Sequence, residues 1–242
     1  MHRVTEQNDV TKVSGRQFVI DKINAANKNH QHIMLFASMP CTGGSLWGNI
    51  NRHKQGGEAK LRKHWSLFRK IWKCFEECAI LVLNLGGCVA LEWPKGCRYW
   101  QWDFVKAFLE CYNFSHTCFD GCTLDLRSSV DSSKFIKKPW MPASTCPSLS
   151  QVFQHNSCKH DHEHVPCAGV DTTLTEQYTM PMVVRVHEAF SQHALLTRNG
   201  NISENKISAF CSTSMMTAAD THKHHCVALP ALLIRVLSNV KL

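Results

Sequence analysis

The apolar positions of this chain form short unbroken runs separated by longer periodic stretches. Ile33-Met34-Leu35-Phe36-Ala37-Ser38-Met39 stops at Pro40-Cys41 and enters Thr42-Gly43-Gly44-Ser45, and Cys88-Val89-Ala90-Leu91-Glu92-Trp93 stops at Pro94. Runs of this length bounded by Pro and Gly predict strands buried on both faces. Between them Leu61, Trp65, Phe68, Trp72, Phe75 and Ala79 recur at steps of 4, 3, 4, 3 and 4. That spacing predicts a helix with one apolar stripe, broken at Gly86-Gly87. A strand, helix, strand unit takes a right-handed crossover, so 33–39 and 89–93 are expected as adjacent parallel strands.

Downstream, Phe104, Val105, Phe108 and Leu109 predict a second helix over 102–111. A third strand is expected over 116–122, and an extended segment over 135–144 bends at Pro139 and Pro142. A helix over 175–196 carries Pro181 in its first turns, with Val183, Val184, Val186, His187 and Phe190 inward. Such alternation predicts an α/β fold with an open, mostly parallel sheet and flanking helices. Residues 1–30 lack strong periodicity and read as a poorly ordered extension, 31–197 as the α/β domain, and 198–242 as a linker and tail.

Length and composition are consistent with a substantial core: 242 residues, 44% of them hydrophobic. The 13 cysteines, an odd number, lie mostly in apolar segments rather than framing short loops, unlike a secreted disulfide scaffold. No signal-like segment opens the chain, and no apolar run approaches the ~20 residues of a membrane span. The expectation is a reduced intracellular compartment, nuclear or cytoplasmic, without membrane contact.

Charge adds a location. The net +8 is concentrated in Arg52, Lys54, Lys60, Arg62, Lys63, Arg69, Lys70 and Lys73, opposed by Glu58 alone. Most of these fall on the polar face of the patterned helix. Such a block is the footprint of a phosphate-backbone contact with DNA or another nucleic acid, for which Arg62, Lys63, Arg69, Lys70 and Arg98 are the candidates. A solvated helix face produces the same pattern.

Two groups of residues bear candidate chemistry. Cys41 follows one buried strand and Glu92 stands at the end of the next, where α/β sheets collect ligands. A nucleophilic thiol needs partial ionisation, which backbone N–H groups of Gly43-Gly44-Ser45 offer, and Glu92 beside Trp93 is placed to have its pKa raised by burial. The alternatives are a small buried thiol and a carboxylate paired with Lys95 or Arg98. Trp93, Tyr99, Trp100 and Trp102 suit either base stacking or the core. Separately, Cys158, His160, His162, His164 and Cys167 fall within ten residues and are ligand types preferred by zinc. On an extended segment residues two apart face one side, so the three histidines are expected to converge with one cysteine, while Asp161 and Glu163 orient imidazoles from the other. A His-rich loop without resident metal fits the same composition. His222, His224, His225 and Cys226 form a further His/Cys group in the tail.

The order of these motifs resembles part of the catalytic domain of the cytosine-C5 DNA methyltransferases, S-adenosylmethionine-dependent enzymes with a Rossmann-like sheet. In that family a strand ends in Pro-Cys, whose thiolate attacks C6 of a flipped cytosine. The next strand ends in a glutamate that engages N3. Pro40-Cys41 and Glu92 stand in those places, and Phe119-Asp120-Gly121-Cys122 followed by Lys137-Lys138-Pro139-Trp140 loosely follows the family's order. The resemblance spans about 33–144 and implies a Rossmann-like fold incomplete at its N-terminus. The family's Gly-rich cofactor loop has no counterpart: Gly15 is the single glycine before Ile33. Glu92 is followed by Trp-Pro rather than Asn-Val, and Lys-Lys replaces arginines. The resemblance therefore implies a truncated or degenerate relative, similar in overall look to mobile-element reading frames. It would use S-adenosylmethionine only with the missing unit supplied. Three functions follow as expectations: a noncatalytic nucleic-acid-contacting domain, an active methyltransferase fragment using Cys41 and Glu92, and a zinc-stabilised structural or interaction domain.

Overall fold

A computed structural model describes residues 2–3, 6–198 and 233–238. The elements in chain order are β1 (His2–Arg3), α1 (Val13–Lys28), β2 (Ile33–Ser38), α2 (Leu46–Ile50), α3 (Gly57–Asn84), β3 (Cys88–Pro94), α4 (Asp103–Cys111), β4 (Ser115–His116), β5 (Phe119–Asp120), β6 (Pro139–Ser144), α5 (Pro147–Phe153), α6 (Val170–Leu174), α7 (Met180–Arg198) and β7 (Leu233–Ser238).

The centre of the sheet is the pair expected from sequence. β2 and β3 run parallel in the register Met34↔Cys88 through Ala37↔Leu91, joined through the long α3. Alternation along both strands divides the core. Leu35, Ala37, Val89, Leu91 and Trp93 face the layer formed with α1, α3 and α4. Met34, Phe36, Cys88 and Ala90 face a second cluster containing Leu149, Phe153, Met182, Val186 and Phe190 of α5 and α7. Burial on both faces explains why these strands read as continuous apolar runs.

The helix break is a Schellman motif. Gly86 N–H donates to Leu83 O at 3.0 Å and Gly87 N–H to Val82 O at 2.9 Å, with Gly86 at φ +72°. Gly is required at the first position by its left-handed backbone and at the second by space, since a Cβ on Gly87 would lie 2.6 Å from Ile33 O.

The flanks correct the mostly parallel expectation. The strand order is β1-β7-β2-β3-β6-β4, with β5 also on β6. β6 is antiparallel to β3, β7 antiparallel to β2, and β1, β4 and β5 also pair antiparallel. The β2–β3 connection is a long helical crossover between neighbouring parallel strands, whereas β6 returns through the short β4 and β5 pieces, which replace the single strand expected over 116–122. The N-terminal segment is also ordered where weak periodicity had argued otherwise. α1 buries Gly15, Val19, Ile23 and Ala26 and is tied to α3 by Arg16 Nη1 to Glu77 Oε1 at 3.1 Å. Its stripe is narrow and partly built from Gly and Ala, which carry little hydropathy signal. The tail contributes β7, although residues 199–232, including His222, His224, His225 and Cys226, lie outside the described residues. Ten described cysteines are free thiols. Among the described residues no helix is long and apolar enough to cross a membrane.

Candidate functional site

The parallel pair delivers Cys41 and Glu92 to one mouth. β2 ends at Ser38 and Pro40 turns the chain, so Cys41 caps a short 3-10 turn over Thr42–Gly44. Gly44 N–H donates to Cys41 O at 2.9 Å, and Trp65 Nε1 donates to Gly43 O at 2.8 Å. This turn is pressed onto the core: a Cβ on Gly43 would lie 2.3 Å from Tyr99 Oη, and one on Gly44 would lie 2.6 Å from Cys97 Sγ.

Cys41 and Glu92 line one pocket of about 80 Å³ with Ser38, Lys138, Trp140, Thr175, Glu176 and Tyr178. Glu92 is 3% exposed. Its Oε2 accepts from Ser38 Oγ at 3.3 Å and from the Tyr178 hydroxyl, whereas Oε1 is buried without a partner. Burial raises the Glu92 pKa, against the opposing effects of Tyr178, Lys138 and Ser38. When the carboxyl is protonated, the proton belongs on Oε1, since both neighbouring hydroxyls already point at Oε2. Burial likewise pushes the Cys41 thiol up to about 11, with Lys138 pulling down and Glu92 pushing further up. Cys41 is thus a thiol at neutral pH, and the glycine turn does not ionise it.

The Glu92 shift fixes a pH dependence. Its folded-state pKa lies above the ordinary glutamate value, so the folded chain binds this proton more tightly than the unfolded chain. The cost to stability begins above the unfolded pKa and grows until pH passes the folded pKa. Glu92→Gln is therefore expected to raise the melting temperature at about pH 8 and to lose that advantage toward about pH 4. Thermal melts across pH check this; a pH-independent difference would contradict the burial account.

The small pocket opens into a groove of about 780 Å³ that shares Cys41, Thr42, Pro94, Lys138, Thr175 and Glu176. The groove reaches Lys60, Leu61 and His64 on the first turns of α3, linking the mouth to the basic face. On that face Arg62, Lys63, Arg69 and Lys70 are exposed, as is Arg98 beyond β3. Arg62 Nε lies 3.1 Å from Glu58 Oε1, and the Arg69 guanidinium sits 5.1 Å from the Trp102 ring centroid. Lys63 and Lys70 have no carboxylate partner among the described residues. The aromatic group resolves mostly as core: Trp93, Tyr99 and Trp100 are buried, and Tyr99 stacks on Phe68 at 3.8 Å. These three rings are not presented to a base, and Glu92 pairs with Ser38 and Tyr178 rather than with Lys95 or Arg98. Sequence reasoning missed Ser38 and Tyr178. Lys138 appeared only within a basic pair, yet its Nζ donates to Thr175 O at 2.6 Å inside the site.

The residues present do not fit a methyl-donor cofactor. The edge of β2 opposite β3 is paired to β7 from Ile33↔Ser238 to Ser38↔Leu233, then to β1 through β7. Among the described residues no parallel strand with a glycine turn continues the sheet there.

The second constellation forms with a changed membership. Cys122, Cys158, His162 and His164 bring ligand atoms within 4.8 Å of one another. Cys158 Sγ is 3.4 Å from His164 Nε2 and 3.8 Å from His162 Nε2. A tetrahedral ion with bonds of ~2.0–2.3 Å requires ligand separations of about 3.3–3.8 Å. His160 and Cys167 do not join. His160 adopts φ +60°, which breaks the extended alternation, and its Nε2 lies 3.0 Å from Lys137 Nζ. Cys167 Sγ instead meets Thr175 Oγ1 at 3.2 Å. Cys122 enters from the turn after β5 and was invisible as a ligand because it is distant in sequence. The loop is held by Cys158 N–H to Asp120 Oδ2 at 2.9 Å and Val165 N–H to Phe135 O at 2.9 Å. Asp161 Oδ1 contacts His162 Nδ1 at 2.8 Å, the orienting role expected for it; Glu163 pairs with Lys134 instead. These four residues are a Cys/His group able to hold a metal ion. No protein-family model matches the chain, and no curated protein or solved structure matches it either.

Proposed function

We propose that this chain is a noncatalytic, methyltransferase-like α/β domain that binds nucleic acid, with the basic face of α3 on the phosphates and an unpaired base at the Cys41–Glu92 mouth. The observation carrying this reading is the buried Glu92 carboxyl with Oε1 unpaired, in a small pocket that shares Cys41 and Lys138 with a groove reaching Lys60 on α3. A protonated carboxyl offers a donor and an acceptor to one heterocycle edge, and Lys138 adds a cation beside it. The protonated Cys41 thiol and the β7-covered sheet edge favour binding over the covalent chemistry of the family that the motif order resembles.

The test is fluorescence anisotropy with a single-stranded oligonucleotide and a matched oligonucleotide carrying abasic sites. The intact strand is expected to bind more tightly to the wild-type chain, with no such preference in Glu92→Ala. Equal binding of both oligonucleotides by wild type would remove the base pocket. Methyl transfer from S-adenosylmethionine to the bound strand would replace this reading with that of an active fragment.

A second reading rests on a separate observation, the approach of Cys122 to the 158–167 loop. We infer that zinc occupies the Cys122, Cys158, His162 and His164 group and fixes a loop that lacks regular secondary structure. Two thiolates and two imidazoles are a closed structural donor set for this ion.

A further inference from the structure

Outside both sites, three residues from distant parts of the chain meet beneath α7. His32 precedes β2, Cys88 opens β3 and His193 lies on α7. Their ligand atoms lie within 4.8 Å of one another. Cys88 and His193 are buried, at 1% and 6% exposure. His32 stacks on Phe190 at 5.6 Å and lies 5.3 Å from the His193 ring.

The second observation is an omission in the hydrogen bonding. His32 Nε2 and His193 Nδ1 are both buried without a partner, and these two account for most of the unpaired buried side-chain nitrogen and oxygen atoms among the described residues. Buried polar atoms in folded chains are nearly always satisfied, so an unpaired nitrogen on each of two imidazoles grouped with a buried sulfur calls for an occupant. Two imidazoles and one thiol are soft to borderline donors.

We propose that His32, Cys88 and His193 form a site for a soft monovalent d10 metal ion, Cu+, held by three ligands. Charge balance selects the ion. One thiolate neutralises one positive charge, so a Cu+ site is neutral in apolar surroundings, whereas Zn2+ with the same three ligands buries a net positive charge. Formation makes one Cu–S and two Cu–N bonds and releases the Cys88 thiol proton to solvent, with no change of oxidation state. Cys146 places a second sulfur beside Cys88.

The test loads the 242-residue chain with Cu+ under anaerobic reducing conditions, removes loose metal with a Cu+ chelator, and measures retained copper by mass spectrometry. One equivalent is expected to be retained in wild type and in Cys122→Ser, and to be lost in His32→Gln and in His193→Gln. Copper-edge X-ray absorption of Cys122→Ser is expected to show three ligands, one sulfur and two nitrogens. If His193→Gln loses its near-ultraviolet circular dichroism, His32→Gln decides, since this loop position is only partly buried. Copper retained equally in both histidine variants would overturn the proposal, as would one-for-one Zn2+ binding in place of copper by Cys122→Ser. Loss in Cys122→Ser alone would assign the copper to the other Cys/His group, so failure here is distinct from failure of the zinc reading.

Discussion

Chelation of zinc from the native chain is expected to lower its melting temperature by about 8–16 °C. The figure follows from linkage: free metal at about 1,000 times its dissociation constant contributes about 4 kcal/mol, and each kcal/mol moves a chain of this size by about 2–4 °C. The effect concentrates on the loop carrying Cys158, His162 and His164, whose backbone is otherwise held by few bonds such as Cys158 N–H to Asp120. Ligand substitutions make the result specific. Cys122→Ser and His164→Gln are expected to abolish the chelator response, while His160→Gln and Cys167→Ser preserve it, because the latter side chains face Lys137 and Thr175. Differential scanning calorimetry with and without chelator reads this directly. A response lost in Cys167→Ser and kept in Cys122→Ser would reinstate the ligand set suggested by local spacing.

Charge reversal on α3 is expected to weaken single-strand binding by about a hundredfold or more at low salt. Each phosphate neutralised on a single strand contributes a slope of about −0.7 to the dependence of log affinity on log salt. Replacing Arg62, Lys63, Arg69 and Lys70 by Glu removes as many as four such contacts and adds repulsion, so the variant's titration should be flatter and the two curves should converge as salt rises. The four positions are exposed, which separates this loss from unfolding; circular dichroism melts should change little, apart from loss of the Arg69–Trp102 stacking. Binding by wild type that ignores salt would remove the electrostatic account altogether.

The legibility of the chain tracks how local each determinant is. The stripe of Leu61, Phe68, Trp72 and Phe75, the stops at Pro40 and Pro94, and the Gly86-Gly87 turn are set by neighbours within a few residues. They dictated the β2, α3, β3 unit and hence the shared mouth of Cys41 and Glu92. Partner choice between distant segments carries no such signal. β7 reaches β2 from the far end of the chain, and antiparallel edges depend on which backbone groups remain unpaired after the centre has formed, so the mixed sheet was decided in three dimensions. The same distinction separates Cys158, His162 and His164 from Cys122. Alternation predicted that histidines would converge, but the left-handed backbone at His160 and the turn after β5 settled which four side chains meet. The ionisation of the mouth was likewise a matter of packing. A glycine turn beside Cys41 suggested activation by backbone N–H groups, whereas the solvent removed from around Cys41 outweighs those dipoles and keeps the thiol protonated, and burial likewise raises the Glu92 pKa. Sequence alone determined where the strands end and which residues stand there; the tertiary structure decided what surrounds them, because desolvation and coordination sum over groups that chain order does not place together.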